Sequence, residues 1–171
     1  NVEFNRDWGL TYDAKPATEN LFSAAATLKD KANNSFTYNF SGYLRGNNYS
    51  AYRNSLIHIA NIGGWKLNNL FVYTHIDEQL QKGFFLRPVI DISRKIKKIG
   101  NYQVGLNYSL EHNELKYKKY DSLNLNSFSF DVWSVYLKSP EAPNKWGAGF
   151  FTRSDKYPMG NELVRTDRSQ N

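Results

Sequence analysis

The sequence contains no cysteine, only one methionine, and no long uninterrupted apolar run in its 171 residues. Without cysteine the chain forms neither a disulfide nor a thiolate metal site, which excludes a small fold held together by disulfides. Its apolar stretches fall far short of the roughly 20 residues that a membrane-spanning helix needs. The chain begins with Asn1 rather than methionine, so we expect its start to be processed or excised.

Motifs of catalysis and cofactor binding are also lacking. The sequence has no nucleophile elbow, phosphate-binding loop, dinucleotide fingerprint or zinc-binding helix. The three histidines, His58, His75 and His112, are far apart, and only His75 and Asp77 offer two potential metal ligands on one strand face. We therefore predict that the protein is not an enzyme and binds no cofactor or metal.

Acidic residues are fewer than basic ones, so the formal net charge is +6 and the isoelectric point is near 9.4. Such a charge suits a polyanionic partner, either nucleic acid or an anionic lipid surface. The basic residues cluster at 94–98 and 116–119, both beside turn-like positions. Charge runs of this kind usually mark solvated loops, so we expect no nucleic-acid partner.

A strict alternation of apolar and polar residues is the strongest pattern in the chain. In residues 102–111 every even position is apolar, as at Val104, Leu106 and Tyr108, and every odd position is small or polar or carries charge. A period of two predicts an extended strand with one apolar and one polar face. The period recurs in residues 35–41, 84–93 and 127–132. About nine such segments joined mostly by short turns predict an all-β antiparallel up-and-down meander.

Several segments qualify this prediction. The alanine-rich stretch 21–29 is compatible with a short helix, but its neighbours favour a strand. Pro88 lies inside segment 84–93, which predicts an edge strand or a bulge because proline cannot donate to a ladder. Residues 112–126 are expected to form the longest loop. The chain after Ser154 shows no clear closing strand.

The length of the predicted strands and their aromatic ends indicate a transmembrane β-barrel, in part or whole. Trp8, Trp65 and Trp146 are each expected at the start of a strand, where an aromatic girdle would lie. Lipid cannot hydrogen-bond a backbone, so the apolar face of such a sheet points outward. The alternative is a soluble β-sandwich or barrel, whose apolar face points inward and which binds a glycan or another ligand through Tyr and Trp.

The polar face supplies the candidate functional residues. In a barrel it lines a lumen, towards which Thr37, Asn39 and Ser129 are expected to point. Tyr117 and Tyr120, which flank two lysines, could stack on sugars or bases, or lie at the membrane interface. The candidates for lumen or ligand contacts are Gln103, Asn107, Arg87, Asp91, Tyr117 and Tyr120.

Two passages carry a family resemblance. Residues 136–158, which include Trp146-Gly147-Ala148-Gly149-Phe150-Phe151-Thr152-Arg153, and residues 6–10, Arg6-Asp7-Trp8-Gly9-Leu10, resemble large outer-membrane β-barrel proteins of Bacteroidota. The resemblance implies one β domain over residues 1–171 that is a segment of a larger barrel, completed by missing segments or by other chains. It implies a bacterial outer-membrane location, a lipid bilayer as partner, and a role as a pore, in transport or secretion, or as an assembly scaffold. It carries over no functional residue.

Overall fold

A computed structural model of the chain describes residues 2–10, 16–119, 127–140, 146–159 and 162–170, with side chains over 18–98, 100–119, 127–140 and 146–156. Ten β-strands make up almost all of these residues, with one 3-10 turn at Lys97–Ile99. The strands are β1 Val2–Leu10, β2 Pro16–Lys29, β3 Ser35–Arg45, β4 Tyr49–Ile62, β5 Trp65–Glu78, β6 Gln81–Ile96, β7 Tyr102–Tyr117, β8 Phe128–Lys138, β9 Gly147–Met159 and β10 Glu162–Gln170.

The strands form one sheet in which each strand pairs with its neighbours along the chain. The order is β1 to β10 without a crossover, and every pairing is antiparallel. The predicted all-β up-and-down meander is therefore confirmed. Over the described residues the sheet is open, with β1 and β10 as its edges. No helix in this part of the chain has the length and apolar character to cross a membrane.

Cross-strand register assigns each side chain to one of two faces, because residues directly opposite each other point the same way. What we call the apolar face holds the even-numbered residues of β2, β3, β4, β6, β7 and β9 and the odd-numbered residues of β5 and β8. The polar face holds the alternate residues. Leu106, Ile92 and Leu67 are thus aligned on the apolar face, and Gly105 and Ser93 are opposite each other on the polar face.

Hardly any of the described side chains is buried in a hydrophobic core. Among the described residues the buried hydrophobic ones are Ala60 and Val72, which are 2% and 6% exposed. Large apolar side chains stand exposed instead, most of them on the apolar face: Leu28, Phe36, Tyr38, Ile62, Trp65, Phe71, Ile90, Leu106, Trp133, Val135 and Phe150. The described part of the chain is one layer thick, and it supplies nothing that covers this face.

A tight turn fixes the register of the β4–β5 hairpin. Strands β4 and β5 are joined by Gly63 and Gly64, whose φ angles are 59° and 83°. Two successive residues with positive φ suit the twist of a two-residue hairpin, and glycine adopts them without steric cost. The hairpin then pairs without a break from Ile62 and Trp65 to Tyr49 and Glu78.

The turn between β2 and β3 is organised by Asp30. Its carboxylate accepts hydrogen bonds from the backbone N–H groups of Ala32 and Asn34, both at 2.8 Å, and from the Asn34 side-chain amide at 2.6 Å. The bond from the Asn34 amide is the main reason that the pKa of the Asp30 carboxyl lies below its ordinary value, because these donors favour the ionised form.

Several strand predictions hold and others are wrong. The alanine-rich segment 21–29 is a strand, as predicted, and belongs to the longer β2. Pro88 occupies neither an edge nor a bulge, because β6 lies between β5 and β7 and keeps one register on both sides. The β6–β7 ladder instead omits the pairs at Arg87 and Pro88 and resumes at Val89, which fits a proline that has no N–H to donate.

Two further predictions are corrected, the long loop over residues 112–126 and the lack of a clear strand after Ser154. Strand β7 continues through His112 to Tyr117, so the connection to β8 starts at Lys118, and residues 120–126 lie outside the described ones. Residues 162–170 do form a strand, β10, which pairs with β9. Its sequence is polar at most positions, so apolar alternation could not reveal it. Backbone pairing with a neighbour is enough to make it a strand.

The predicted strand-start position is confirmed for two of the three tryptophans and is wrong for the third. Trp65 starts β5 and Trp146 directly precedes β9, as predicted, whereas Trp8 lies near the end of β1. Successive strands run in opposite directions, so β1, β5 and β9 run the same way. The last residues of β1 therefore lie at the opposite end of the strands from the first residues of β5 and β9. Trp65 and Trp146 therefore mark one end of the strands, and Trp8 marks the other.

Candidate functional site

Five of the six candidate residues lie on the polar face. Gln103, Asn107 and Tyr117 are on β7, and Arg87 and Asp91 are on the adjacent strand β6. Tyr120 lies outside the described residues. The structure brings Gln103, Asn107 and Asp91 into neighbouring rows, with Asp91 directly opposite Asn107. Tyr117 does not join them, since it pairs with Gln81 at the far end of the hairpin.

Asp91 belongs to a hydrogen-bonded group that we call the tyrosine cluster: Asp91, Ser93, Gln103, Gly105 and Tyr136. The Tyr136 hydroxyl, on β8, donates to the Asp91 carboxylate at 3.0 and 3.1 Å. The Gln103 side-chain amide donates to the Ser93 hydroxyl at 2.9 Å. Ser93 is fully buried although its strand has no covering layer, because the neighbouring side chains of the cluster enclose it.

A glycine makes this cluster possible. Gly105 lies directly opposite Tyr136 on β8 and opposite Ser93 on β6. A Cβ atom at position 105 would overlap the Tyr136 ring, with Cε1 only 2.6 Å away. The missing side chain therefore lets the phenol ring lie flat across β7 and reach Asp91 two strands away. Glycine inside a strand often marks such a close approach.

A second group, the arginine cluster, consists of Arg87, Glu111, Asn113, Arg153 and Asp155 and spans β6, β7 and β9. The Arg153 guanidinium binds Asp155, with Nε–Oδ1 and Nη2–Oδ1 distances of 2.9 and 2.8 Å. Arg87 donates to Glu111 at 3.1 Å, and the Asn113 amide donates to the same oxygen at 3.1 Å. Two arginines are thus balanced by two carboxylates on one surface.

The Arg153 pair is much more enclosed than the Arg87 pair. The carboxylate side chains of Asp155 and Glu111 are 10% and 24% exposed, and the guanidinium side chains of Arg153 and Arg87 are 41% and 51% exposed, so the difference lies mainly in the carboxylates. The Arg153 guanidinium also lies over the Phe130 ring, 4.1 Å from its centre. A carboxylate with so little contact with water depends on its partner for stability, whereas an exposed pair contributes little.

The prediction that Ser129 points to the polar face is wrong. Ser129 is opposite His112 on the apolar face, while Phe128 and Phe130 lie on the polar face. In this part of β8 the aromatic residues lie on the polar face and the serine on the apolar face, and the Phe130 ring packs beneath Arg153 of the arginine cluster. Thr37 and Asn39 do lie on the polar face, as predicted, and Asn39 donates to Ser55 across the sheet at 3.3 Å.

Two pairs of polar side chains on the apolar face are joined by hydrogen bonds. The Tyr38 hydroxyl donates to Asn54 Oδ1 at 2.6 Å, and the Asn69 amide contacts His58 Nδ1 at 3.1 Å. Both pairs lie on β3, β4 and β5, where the sequence mixes apolar and polar residues at successive positions. Mutual hydrogen bonding reduces the cost of placing these groups in an apolar environment.

Sequence reasoning missed the partners that come from distant strands. Tyr136, Arg153, Asp155 and Glu111 lack a shared motif, and only the pairing of β6, β7, β8 and β9 brings them together. The one local signal was Gly105, a glycine in the middle of an otherwise well-formed strand.

The chemistry of the polar face is that of a hydrogen-bonding and charge-paired surface. Over the residues with described side chains, no group of three or more His, Asp or Glu is placed to hold a metal ion. The paired arginines, carboxylates, amides and hydroxyls are suited to contact water and polar solutes. Comparisons with models of protein families, with curated proteins and with solved structures find no match to this chain.

Proposed function

We propose that this chain is a segment of an outer-membrane β-barrel that serves as a pore, in transport or secretion, or as an assembly scaffold. In this proposal the apolar face contacts lipid hydrocarbon and the polar face lines a wet interior. Further strands, from the same protein or another chain, complete the barrel.

The exposed apolar face carries the proposal. Leu106, Ile90 and Val135 lie in the middle of their strands, and they are 41%, 42% and 50% exposed. Fully burying such a side chain contributes about 1.5–3 kcal/mol, so about ten half-exposed ones leave roughly 10 kcal/mol unrealised. That is as large as the net stability of a typical domain, about 5–15 kcal/mol. Something apolar is therefore expected to cover this face.

On β6 the apolar run is close in height to the apolar band of an outer-membrane barrel. On β6 the apolar face reads Phe84, Leu86, Pro88, Ile90 and Ile92, between a lysine at position 82 and an arginine at position 94. At about 3.4 Å per residue, the run from 84 to 92 is roughly 27 Å long, and a strand tilt near 40° reduces its height to roughly 21 Å. Outer-membrane barrels carry an apolar band about 25 Å tall.

Aromatic residues mark one border of this band. Trp65 lies next to Arg94 in the β5–β6 register, and its ring is 5.5 Å from the guanidinium. Near the same end of the strands the rings of Tyr102 and Trp146 are 5.5 Å apart. Amphipathic rings beside cations are typical of the boundary between hydrocarbon and head groups.

The polar face supports a wet interior. Four of its charges form two hydrogen-bonded pairs, Arg153 with Asp155 and Arg87 with Glu111, and its buried residues include Ser93 and Asn113. Such a surface would be a poor inner layer for a β-sandwich, whose inner faces are apolar. A sandwich that instead buried the apolar face would need a second sheet, and the described strands all belong to the first.

These 171 residues contain no cysteine, which allows a direct test once any cysteine elsewhere in the full protein is replaced. Single cysteines at Leu106, Ile90 and Val135 would report on the apolar face, and cysteines at Gln103 and Asn107 on the polar face of the same sheet. The full protein, reconstituted in phosphatidylcholine vesicles, is labelled at each site with an environment-sensitive fluorophore. Quenching by a nitroxide on the lipid acyl chain is then compared with quenching by iodide in the buffer.

We expect the lipid nitroxide to quench the three apolar-face sites and iodide to quench the two polar-face sites. The neighbouring positions Leu106 and Asn107 provide the closest control, because they differ in face and hardly in depth. Equal quenching of both faces by iodide, with a protein that stays folded and monomeric without detergent or lipid, would favour the soluble ligand-binding alternative and contradict the proposal.

A further inference from the structure

A groove opens on the apolar face at the end of the strands marked by Trp65. It has a volume of about 1080 Å³, slightly above the range of about 300–1,000 Å³ that is common for ligand sites. Its floor is apolar and consists of Ile92, Val104, Leu106 and Val135, from β6, β7 and β8. The Trp65 side chain forms one wall. The groove is thus continuous with the exposed apolar band.

The rim of the groove is strongly basic. Arg94, Lys95, Lys97 and Lys98 all line it, and the last two lie on the 3-10 turn that joins β6 to β7. Among the residues with described side chains, no acidic residue lines the groove. Within the described residues, none of these four cations forms a salt bridge. Lys95 is an odd-numbered residue of β6, so its side chain belongs to the polar face. Arg94, Lys97 and Lys98 therefore place three positive charges at one edge of the apolar groove, without an anionic partner among the described residues of the sheet.

The positions of these groups fit the two parts of an amphiphile. The basic rim lies at the border of the apolar band, and the apolar floor extends from it towards the middle of the sheet. Arg94 also contacts the Trp65 ring, which holds the guanidinium at this border. Phosphate is recognised well by arginine and lysine together, through charge-assisted hydrogen bonds. An acyl chain would cover Val104 and Leu106 below them.

We propose that this groove binds one phospholipid with an anionic phosphate head group, such as a phosphatidylglycerol. The inference rests on the proposed function, because it requires the apolar face to lie in a bilayer. The head group contacts the residues of the basic rim, and an acyl chain lies along the groove floor. This ligand satisfies both halves of the site, whereas a free phosphate or a nucleic acid would leave the apolar floor exposed.

The test uses the full protein in a neutral detergent, titrated with phosphatidylglycerol or phosphatidylcholine and followed by native mass spectrometry. We expect one phosphatidylglycerol to bind in preference to phosphatidylcholine. Replacing Lys97 and Lys98 by glutamine should weaken this binding about thirtyfold, because each basic residue at a membrane surface contributes on the order of 1 kcal/mol. The control replaces Lys82 and Lys156, which lie on the same face at the opposite strand ends, and should change binding less than about twofold.

A second variant tests the groove floor without changing charge. Val104→Trp fills part of the groove and should also weaken phosphatidylglycerol binding, while soluble glycerol phosphate should compete poorly at any concentration that leaves the protein folded. Equal affinity for the two lipids, or an equal loss in the Lys82 and Lys156 control, would overturn the lipid site. Because the cysteine quenching experiment measures insertion separately, a protein that inserts but shows no lipid preference refutes this site alone. A protein that does not insert refutes both proposals.

Discussion

Replacing Gly105 by alanine should be far more damaging than an alanine in a strand usually is. Alanine is ordinarily better than glycine inside a strand by roughly 0.5–1 kcal/mol. At this position its Cβ would overlap the Tyr136 ring, and overpacking of this kind costs about 1–3 kcal/mol. If the ring moves away, the hydrogen bond from its hydroxyl to Asp91 is lost as well, at about 1.5–3 kcal/mol for a charged acceptor. We expect a net loss of about 2–4 kcal/mol.

A double-mutant cycle isolates the cause. In a Tyr136→Ala background there is no ring to displace, so Gly105→Ala should be neutral or should stabilise the protein by about 0.5 kcal/mol. The coupling energy between the two positions is then at least about 2 kcal/mol, within the range for residues in direct contact. Tyr136→Phe is an intermediate variant that keeps the ring and removes only the hydroxyl.

The cycle is measured by urea unfolding of the full protein in lipid vesicles, followed by tryptophan fluorescence. Two results would refute the reasoning. If Gly105→Ala is as costly without the Tyr136 ring as with it, the damage comes from the backbone and not from this contact. If Gly105→Ala is harmless in the unmodified protein, the ring does not lie across Gly105.

Three further predictions follow from the polar pairs and the turn. Arg153→Gln should lower the free energy of unfolding by about 2 kcal/mol or more in urea titrations, whereas Arg87→Gln should cost less than about 1 kcal/mol. Asp155 is the more enclosed carboxylate, and Glu111 keeps its hydrogen bond from Asn113 when Arg87 is changed. Tyr38→Phe should cost about 1–2 kcal/mol by leaving Asn54 Oδ1 without its donor, and a second change of Asn54 to Leu should restore most of that stability. The pKa of Asp30 is lowered, so its contribution to the free energy of unfolding is present above the unfolded pKa and is lost as pH falls through the folded pKa. A carboxyl titration by NMR should show Asp30 ionised below the usual aspartate range. Asn34→Ala should raise this pKa, because it removes the side-chain hydrogen bond that lowers it most.

The strand pattern could be predicted where alternation follows the faces of the sheet. Residues 102–111 gave both the existence of β7 and its division into faces, because Leu106 and its even-numbered neighbours do lie on one side. The same logic failed at Phe130, where an aromatic ring serves as a platform for Arg153 on the polar face. The alternation of apolar and polar residues alone cannot distinguish an aromatic ring that faces an apolar environment from one that packs against a guanidinium.

Other features depend on pairing that no local pattern contains. Strand β10 is polar and is defined by its partner β9, and the interior position of Pro88 is defined by the ladders of β5 and β7. The candidate residues Gln103, Asn107 and Asp91 were predicted from their face alone. Their partner Tyr136 was not, because it lies 45 residues from Asp91 along the chain and reaches it only across Gly105.

The balance of the two faces has a consequence for how such a sheet becomes stable. Every strand pairs with its sequence neighbours, so hairpins can add one by one with little loop entropy to overcome. The polar clusters form as these hairpins meet and need no other partner. The apolar face gains its roughly 10 kcal/mol only when something apolar covers it. Under the proposed function that covering is the bilayer, so insertion and final stability are one event, and the sheet should remain marginal until lipid is present.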